Sequence, residues 1–182
     1  MPNADGSAKR DGYITWEEFF MLTAIVASQR SKDPHTQVGA CFADKNNRIL
    51  SVGYNGATAG YDDDEFPWGT SDDIRCDKHT FVCHAESNAI LNYRGSLKDL
   101  QDSTVYVTLF PCNECAKLLA QVGVGQVVYL SDKYDGTDTN FVAKDILAHA
   151  GVKTRKLPLD KRIEIIDETV MLDEIYRATH GE

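Results

Sequence analysis

The sequence predicts an α/β fold in which a mixed β-sheet carries helices on both of its faces. Two strand-like segments come first and are joined by the short polar turn "KNNR", which indicates a hairpin. Helical and strand-like segments then alternate along the rest of the chain. A hairpin followed by such alternation is typical of a sheet with both antiparallel and parallel neighbours and a helical layer on each side.

The first helix is predicted from Thr15 to about Ser31, because Thr15 and Glu18 match the pattern of a capping box. Residues 36–44 and 48–55 are predicted as the two strands of the hairpin. A long loop rich in Gly, Asp and Pro follows and extends to about Thr80.

The second half of the chain carries the alternating elements. Two of its helices are predicted to end at a glycine, Gly95 and Gly123, because glycine adopts the backbone conformation that closes a helix. The predicted elements are helix 84–95, strand 103–110, helix 112–123, strand 126–132, helix 140–151, strand 152–157 and a terminal helix at about 167–180.

Composition narrows the class of protein. The 182 residues, 42% of them hydrophobic, suit one globular domain, which we assign to residues 13–182 behind a flexible tail of residues 1–12. We expect no membrane segment, and five cysteines without a disulfide pattern favour a cytoplasmic location. A formal net charge of −9 disfavours binding of a nucleic acid polymer, but a few placed cations can still bind a small phosphorylated ligand.

Two short motifs contain potential metal ligands. "HAE" opens one predicted helix with His84 and Glu86, and "PCNEC" opens another with Cys112 and Cys115. Both helices flank the same strand, so their N-termini can meet at the carboxyl edge of the sheet. One imidazole and two thiolates make three zinc ligands and leave a fourth position open, as a catalytic zinc site requires.

Each motif taken alone is compatible with a different role. Two cysteines at this spacing can form a redox dithiol, or they can be small buried residues, and a lone histidine is often a core residue. A redox dithiol has no use for "HAE". The combination of His-x-Glu with a later Pro-Cys-x-x-Cys is the pattern of zinc-dependent nucleobase deaminases.

Longer stretches of the chain resemble one branch of that group, the deoxycytidylate (dCMP) deaminases of the cytidine deaminase-like superfamily. The matching stretches are "SQRSKDPHTQVGAC", "VGYNGATAGYDDD", "FVCHAESNAI", "YVTLFPCNECAKLL" and "YLSDKY". The resemblance implies a three-layer α/β/α sandwich with a central five-stranded mixed sheet, assembled as a homohexamer. It implies hydrolysis of dCMP to dUMP and ammonia for thymidylate synthesis. It also implies activation by dCTP and inhibition by dTTP, with Mg²⁺ on the triphosphate.

The resemblance also implies roles for single residues. His84, Cys112 and Cys115 correspond to the zinc ligands, and Glu86 corresponds to the residue that transfers protons. Asn55 and Tyr134 correspond to residues that contact the substrate. Asn55 could instead only stabilise a turn, and the ring of Tyr134 could instead only pack against its neighbours.

The cations that bind the substrate phosphate are less well defined by the sequence. Arg30, Lys32 and Lys133 lie beside the matching stretches, and Arg30 is the first choice because a guanidinium can form a fork-shaped phosphate contact. Each of them could instead be a solvated surface charge.

Rival functions are also compatible with these motifs. The chain could deaminate free cytosine, a nucleoside or a transfer-RNA base, or it could be a zinc-binding subunit without activity. Cys76, His79 and Cys83 could hold a second, structural zinc, although their spacing is not a familiar ligand set. Cys41 lies in an apolar strand and is predicted to belong to the core.

Overall fold

The computed structural model describes residues 8–158, and these residues contain five α-helices, one short 3₁₀ helix and five strands. The helices are α1 (Trp16–Ser28), α2 (Lys78–Phe81), α3 (Ala85–Asn92), α4 (Asn113–Gln121) and α5 (Asp138–His149). The strands are β1 (Gly39–Ala43), β2 (Ile49–Tyr54), β3 (Thr104–Leu109), β4 (Gln126–Ser131) and β5 (Lys153–Lys156). Within this part of the chain, no helix is long and apolar enough to span a bilayer.

The five strands form one mixed sheet in the order β2-β1-β3-β4-β5, which confirms the predicted fold class. Strand β1 runs antiparallel to both β2 and β3, so that Cys41 lies opposite Val52 on one side and Tyr106 on the other. Strands β3, β4 and β5 are parallel. Strand β2 therefore has the same direction as β3, and the chain between them is a crossover that carries α3.

Alternate residues of each strand face two separate apolar layers. On β1, Ala40 and Phe42 pack with α3, α4 and α5, whereas Cys41 packs with α1 on the opposite face. The same alternation places Val105 in the first layer and Tyr106 in the second. This period of two produces the predicted three-layer sandwich, and Cys41 lies in the core as expected.

The capping box of Thr15 and Glu18 is present, and Gly123 follows α4 with a φ of 75°, as predicted for a helix-closing glycine. Gly95 does not have this role, because α3 already ends at Asn92. A second capping box, formed by Ser96 and Asp99, starts a 3₁₀ helix at Leu97–Leu100. Its N-cap residue, Ser96, has an extended backbone, so the chain before it is not helical.

Four further predictions either differ from the structure or are not tested by it. Helix α1 ends at Ser28, three residues before the predicted end, and the loop before "HAE" contains the short helix α2. The predicted helix at 167–180 lies outside the described residues. The boundary between a tail of residues 1–12 and a domain of residues 13–182 stays a prediction.

Two glycines allow helices to lie directly on the sheet. A Cβ on Gly39 would lie 1.8 Å from the carbonyl oxygen of Ala24 in α1. A Cβ on Gly53 would lie 2.3 Å from the carbonyl oxygen of Ala85 and 2.4 Å from the amide nitrogen of Ala89, both in α3. These atoms belong to the backbone and cannot rotate away, so any side chain at these positions would displace a whole helix.

Gly53→Ala is therefore expected to lower the free energy of unfolding by about 1–3 kcal/mol, the usual range for overpacking against atoms that cannot yield. Chemical denaturation of the purified variant measures this. Gly69→Ala is the matched control, because an added Cβ there meets nothing within 4 Å. Equal stability of the Gly53 and Gly69 variants would contradict the close approach of α3 to β2.

Candidate active site

Two helix N-termini meet at the carboxyl ends of β2 and β3. His84 is the N-cap residue of α3, and Cys112 is the N-cap residue of α4, three residues beyond the end of β3. Cys115 lies in the first turn of α4, and its amide nitrogen lies 3.5 Å from the Cys112 sulfur. The structure thus brings together the two motifs that are 28 residues apart in the sequence.

The three potential ligands have the spacing of a tetrahedral zinc site. The Nδ1 atom of His84 lies 3.3 Å from Cys112 Sγ and 3.4 Å from Cys115 Sγ, and the three ligand atoms all lie within 4.8 Å of one another. Tetrahedral Zn–S and Zn–N bonds place nitrogen and sulfur roughly 3.5 Å apart. The donor set therefore fits Zn²⁺ in both chemistry and size.

The three groups differ in pKa, and Cys112 is the cysteine that ionises more readily. A hydrogen bond from the Cys115 thiol, together with the His84 imidazole, lowers the pKa of Cys112 to about 4 despite its burial. The same hydrogen bond to Cys112, with burial and the Glu86 carboxylate, raises the pKa of Cys115. The contact with Cys112 also raises the pKa of His84. Binding of a dication would favour the second thiolate as well.

Glu86 lies beside this group in the first turn of α3. Its side chain is buried, with the residue only 3% exposed, and its Oε2 atom lies 3.4 Å from the Cys115 sulfur. Burial raises the pKa of its carboxyl group. A raised pKa favours the protonated form of the carboxyl, which suits a group that must donate a proton as well as accept one.

These groups open onto a cavity of about 310 Å³. That size is within the usual range for small-molecule sites. His84, Glu86 and Cys112 form one part of its lining, and Phe110 and Val38 add apolar wall. The remaining lining residues are Asp33, Thr36, Asn55, Lys78, His79, Val82, Ala85, Leu109, Pro111, Tyr134, Thr139 and Asn140.

Asn55 lines this cavity, and its side chain already makes two hydrogen bonds to the backbone. Its Oδ1 atom accepts a hydrogen bond from the amide of Val38 at 2.8 Å, and its Nδ2 atom donates to the carbonyl of Thr36 at 2.9 Å. The side chain therefore fastens the segment before β1 to the end of β2. One N–H of the Nδ2 group is left for a ligand.

A buried ion pair that the sequence did not indicate fastens the same wall. Lys78 Nζ lies 2.8 and 2.9 Å from the two carboxylate oxygens of Asp33, and both side chains are more than nine-tenths buried. Asp33 Oδ1 also accepts the amides of His35 and Thr36. Burial raises the pKa of Asp33, but the hydrogen bonds from Lys78 and these amides outweigh it, so the pKa is lowered overall.

Tyr134 and Lys133 lie at the rim of the cavity. Tyr134 lines the cavity and is 49% exposed. Lys133 Nζ lies 4.9 Å from the centroid of the Tyr134 ring and donates to Thr36 Oγ1 at 2.9 Å. This contact joins two segments that are 97 residues apart in the sequence.

Arg30 is not brought to this cavity. It lines a second cleft of about 410 Å³ together with Lys32, the glycine-containing stretch 56–60 and Asn88 of α3. Residues that line the cavity and residues that line the second cleft lie next to each other in the sequence. No local sequence pattern therefore distinguishes the two sites.

Cys76, His79 and Cys83 do not converge. His79 Nδ1 instead lies 3.1 Å from Asp77 Oδ1, and the backbone of Cys83 is paired with that of Gly56. Among residues 8–158 the only group of three or more potential ligands is His84, Cys112 and Cys115. The structure therefore gives no support for a second zinc at this cysteine-rich segment.

An imidazole and two thiolates at two neighbouring helix N-termini, with a buried carboxylate beside them, define the class of zinc-dependent nucleobase deaminases. The model of the cytidine and deoxycytidylate deaminase zinc-binding region matches residues 14–131. The chain belongs to this cytidine and deoxycytidylate deaminase family.

Relatives of known name agree with this membership. The chain is 46% identical to human deoxycytidylate deaminase over 149 residues, covering 81% of this chain and 83% of that protein. It is 47% identical to a probable deoxycytidylate deaminase of Drosophila melanogaster over 181 residues, covering 96% and 88%. Among solved structures, the dCMP deaminase of cyanophage S-TIM5 in complex with dCMP and dUMP is similar, with a TM-score of 0.63 and 30% identity over 80% of this chain and all of that one.

The geometry predicts one zinc ion per chain, held by the cluster of His84, Cys112 and Cys115. Elemental analysis of the purified protein measures this stoichiometry. Cys115→Ala is expected to lose the metal, since only two ligands remain. Cys83→Ser and Cys76→Ser are the matched controls and are expected to keep one zinc per chain. Two zinc ions in the unmodified protein, with one lost from the Cys83 variant, would contradict the single-site assignment.

Proposed function

We propose that this protein catalyses the hydrolytic deamination of dCMP to dUMP and ammonia. The buried carboxyl of Glu86, in contact with the Cys115 ligand, carries the proposal, because a zinc site with a purely structural role has no use for it. The relatives that are named deoxycytidylate deaminases support the choice of substrate. The similar cyanophage structure, which holds dCMP and dUMP, supports it as well.

His84, Cys112 and Cys115 would hold the zinc ion. Zinc, when bound, supplies Lewis acidity that makes water a better nucleophile at neutral pH. Glu86 takes the proton from the attacking water and delivers it to N3 of cytosine as the C4–O bond forms. Glu86 then takes the remaining proton of the new C4 hydroxyl and transfers it to the amino group, so that the C4–N bond breaks, the C4 carbonyl forms and ammonia leaves. Burial raises the pKa of this carboxyl and so favours the protonated form that the second transfer needs.

The rest of the cavity would hold the nucleotide. The free N–H of Asn55 is available to a sugar hydroxyl or a base oxygen, and Tyr134 at the rim is available to the sugar or the phosphate. Lys133 beside Tyr134 supplies positive charge at the same rim. The substrate-contacting roles of Asn55, Tyr134 and Lys133 are part of this proposal.

We further propose that activity is regulated by dCTP as activator and dTTP as inhibitor, and that the second cleft is where these effectors bind. Arg30 and Lys32 bring positive charge to this cleft, and glycines at 56 and 60 let the backbone approach a ligand closely. Mg²⁺ would accompany the triphosphate, as it does on nucleotide polyphosphates generally. In the same proposal the enzyme is a cytoplasmic homohexamer that supplies dUMP for thymidylate synthesis.

Glu86→Gln is expected to keep its zinc and to lose about 10²–10⁴ of its turnover, the usual contribution of general acid–base catalysis. Ammonia release from dCMP and elemental analysis measure the two properties. Glu114→Gln, an exposed carboxylate in the first turn of α4, is the control and should retain activity. A zinc-loaded Glu86 variant with near-native turnover would refute the role of this carboxyl.

Ammonia release from dCMP, deoxycytidine, cytidine and dCTP tests the substrate choice. We expect the largest kcat/KM for dCMP. Deoxycytidine turnover equal to that of dCMP would indicate a nucleoside deaminase instead, and no turnover of any of the four compounds would indicate a subunit without activity.

Arg30→Gln is expected to weaken activation by dCTP, since a charge-assisted hydrogen bond to phosphate contributes about 1.5–3 kcal/mol, or tenfold or more in affinity. Arg48→Gln serves as the control, because that arginine lies in the hairpin turn and lines neither cleft. The concentration of dCTP that gives half-maximal activation is measured at a fixed, low dCMP concentration. An unchanged value in the Arg30 variant would remove this residue from the effector site.

A further inference from the structure

His79 is a residue whose position the zinc chemistry does not explain. It lines the same cavity as Glu86 and Tyr134, yet its side chain is 60% exposed, so it lies near the mouth of the cavity. Glu86, by contrast, is only 3% exposed and lies at the inner end. A nucleotide whose base reaches the carboxyl of Glu86 extends its phosphate towards the mouth.

The charges along the described cavity lining distinguish this side chain from its neighbours. The lining contains three basic residues, Lys78, His79 and His84. Lys78 is neutralised by Asp33 in the buried ion pair, and His84 faces the two cysteines of the metal site. His79 is therefore the basic group of the lining that is accessible to an incoming anion.

The neighbours of His79 orient its ring for such a role. Nδ1 lies 3.1 Å from Asp77 Oδ1, and this hydrogen bond holds the pKa of the Asp77 carboxyl below its usual value. With Nδ1–H donated to Asp77, the Nε2 position is left for a ligand. An imidazolium that donates Nε2–H to a phosphate oxygen forms a charge-assisted hydrogen bond.

A second cation, Lys133, is tied to the same wall of the cavity. Asp33 Oδ1 accepts both the Lys78 ammonium and the amide of Thr36, so the chain segments of His79 and Thr36 meet at this carboxylate. Lys133 in turn donates to Thr36 Oγ1. The segment of His79 and the segment of Lys133 are therefore both tied to residues 33–36.

We infer that His79, oriented by Asp77 and assisted by Lys133, binds the 5′-phosphate of the substrate and makes the enzyme select a nucleoside monophosphate over a nucleoside. This inference rests on the proposed deamination of dCMP, because it assigns a residue to a part of that substrate. It also gives a role to the histidine of the segment "CDKHTFVC", which does not form a second metal site.

The test compares His79→Gln with the unmodified enzyme on dCMP and on deoxycytidine, which lacks the phosphate. We expect KM for dCMP to rise about tenfold or more, the loss typical of one charge-assisted hydrogen bond. The kcat for dCMP and the kcat/KM for deoxycytidine should stay within about twofold, as for surface substitutions away from the reacting atoms. Competitive inhibition by dUMP reports phosphate binding without turnover, and its inhibition constant should rise by the same factor as KM.

His149→Gln is the matched control. His149 also pairs through Nδ1 with an aspartate four residues earlier, Asp145, but it lies on α5 and does not line the cavity. It should leave KM for dCMP and the inhibition constant of dUMP unchanged. Asp77→Ala is a second variant and should weaken dCMP binding less than His79→Gln, because it removes the orienting group but leaves the imidazole.

Different results overturn different claims. An unmodified enzyme that prefers dCMP, with a His79 variant that keeps the same KM and the same dUMP inhibition, would refute the role of His79 alone. A fall in deoxycytidine kcat/KM equal to that for dCMP would show that His79 supports the fold of the cavity and does not bind phosphate. An unmodified enzyme without a preference for dCMP would refute the proposed function itself.

Discussion

The close contact between α3 and β2 is the constraint on which the site depends. His84 and Glu86 belong to the first residues of α3, so their positions follow the height and direction of this helix on the sheet. Gly53 allows backbone of α3 to lie where a Cβ would otherwise be, and Ser51 and Asn88 fix the pairing through hydrogen bonds to carbonyl oxygens across the interface. The ligand distances around His84 can therefore be held to within a few tenths of an ångström, as a tetrahedral metal site requires.

The wall opposite the metal ligands is held by a different kind of interaction. The segment 33–38 has no regular secondary structure, but three distant side chains fasten it: Lys78 through Asp33, Asn55 through two backbone groups, and Lys133 through Thr36. A buried ion pair contributes little net stability compared with apolar packing, but removal of one partner leaves a buried charge and costs about 3–5 kcal/mol. Such contacts define one arrangement of the loop, and a cavity that must bind a particular nucleotide needs a defined wall.

The fold and the reactive centre could be predicted from the sequence because both depend on local signals. Periodicity and caps located nine of the described elements, and "HAE" with "PCNEC" pointed to the candidate ligand set from residues that lie at helix starts. The cavity wall depends on non-local contacts, and these leave no local signal. Nothing in the sequence distinguishes Lys78 in a polar loop from a solvated lysine, and its partner Asp33 is 45 residues away. The same limit applies to Arg30, which lines the second cleft and not the cavity. Even two neighbouring residues of one loop, Lys32 and Asp33, line different clefts.

The two clefts share structural elements, and this gives the proposed regulation a short physical route. Helix α3 contributes Asn88 and Asn92 to the second cleft and Glu86 to the cavity. Gly56, which lines the second cleft, exchanges two backbone hydrogen bonds with Cys83, the residue directly before His84. A ligand changes the chemistry of another site only if it binds two arrangements of the protein with different affinity. A shift of the stretch 56–60 towards a bound triphosphate would act through Gly56 and Cys83 on the position of His84, a candidate metal ligand. Even a small displacement would then change the geometry of the proton transfer proposed for Glu86.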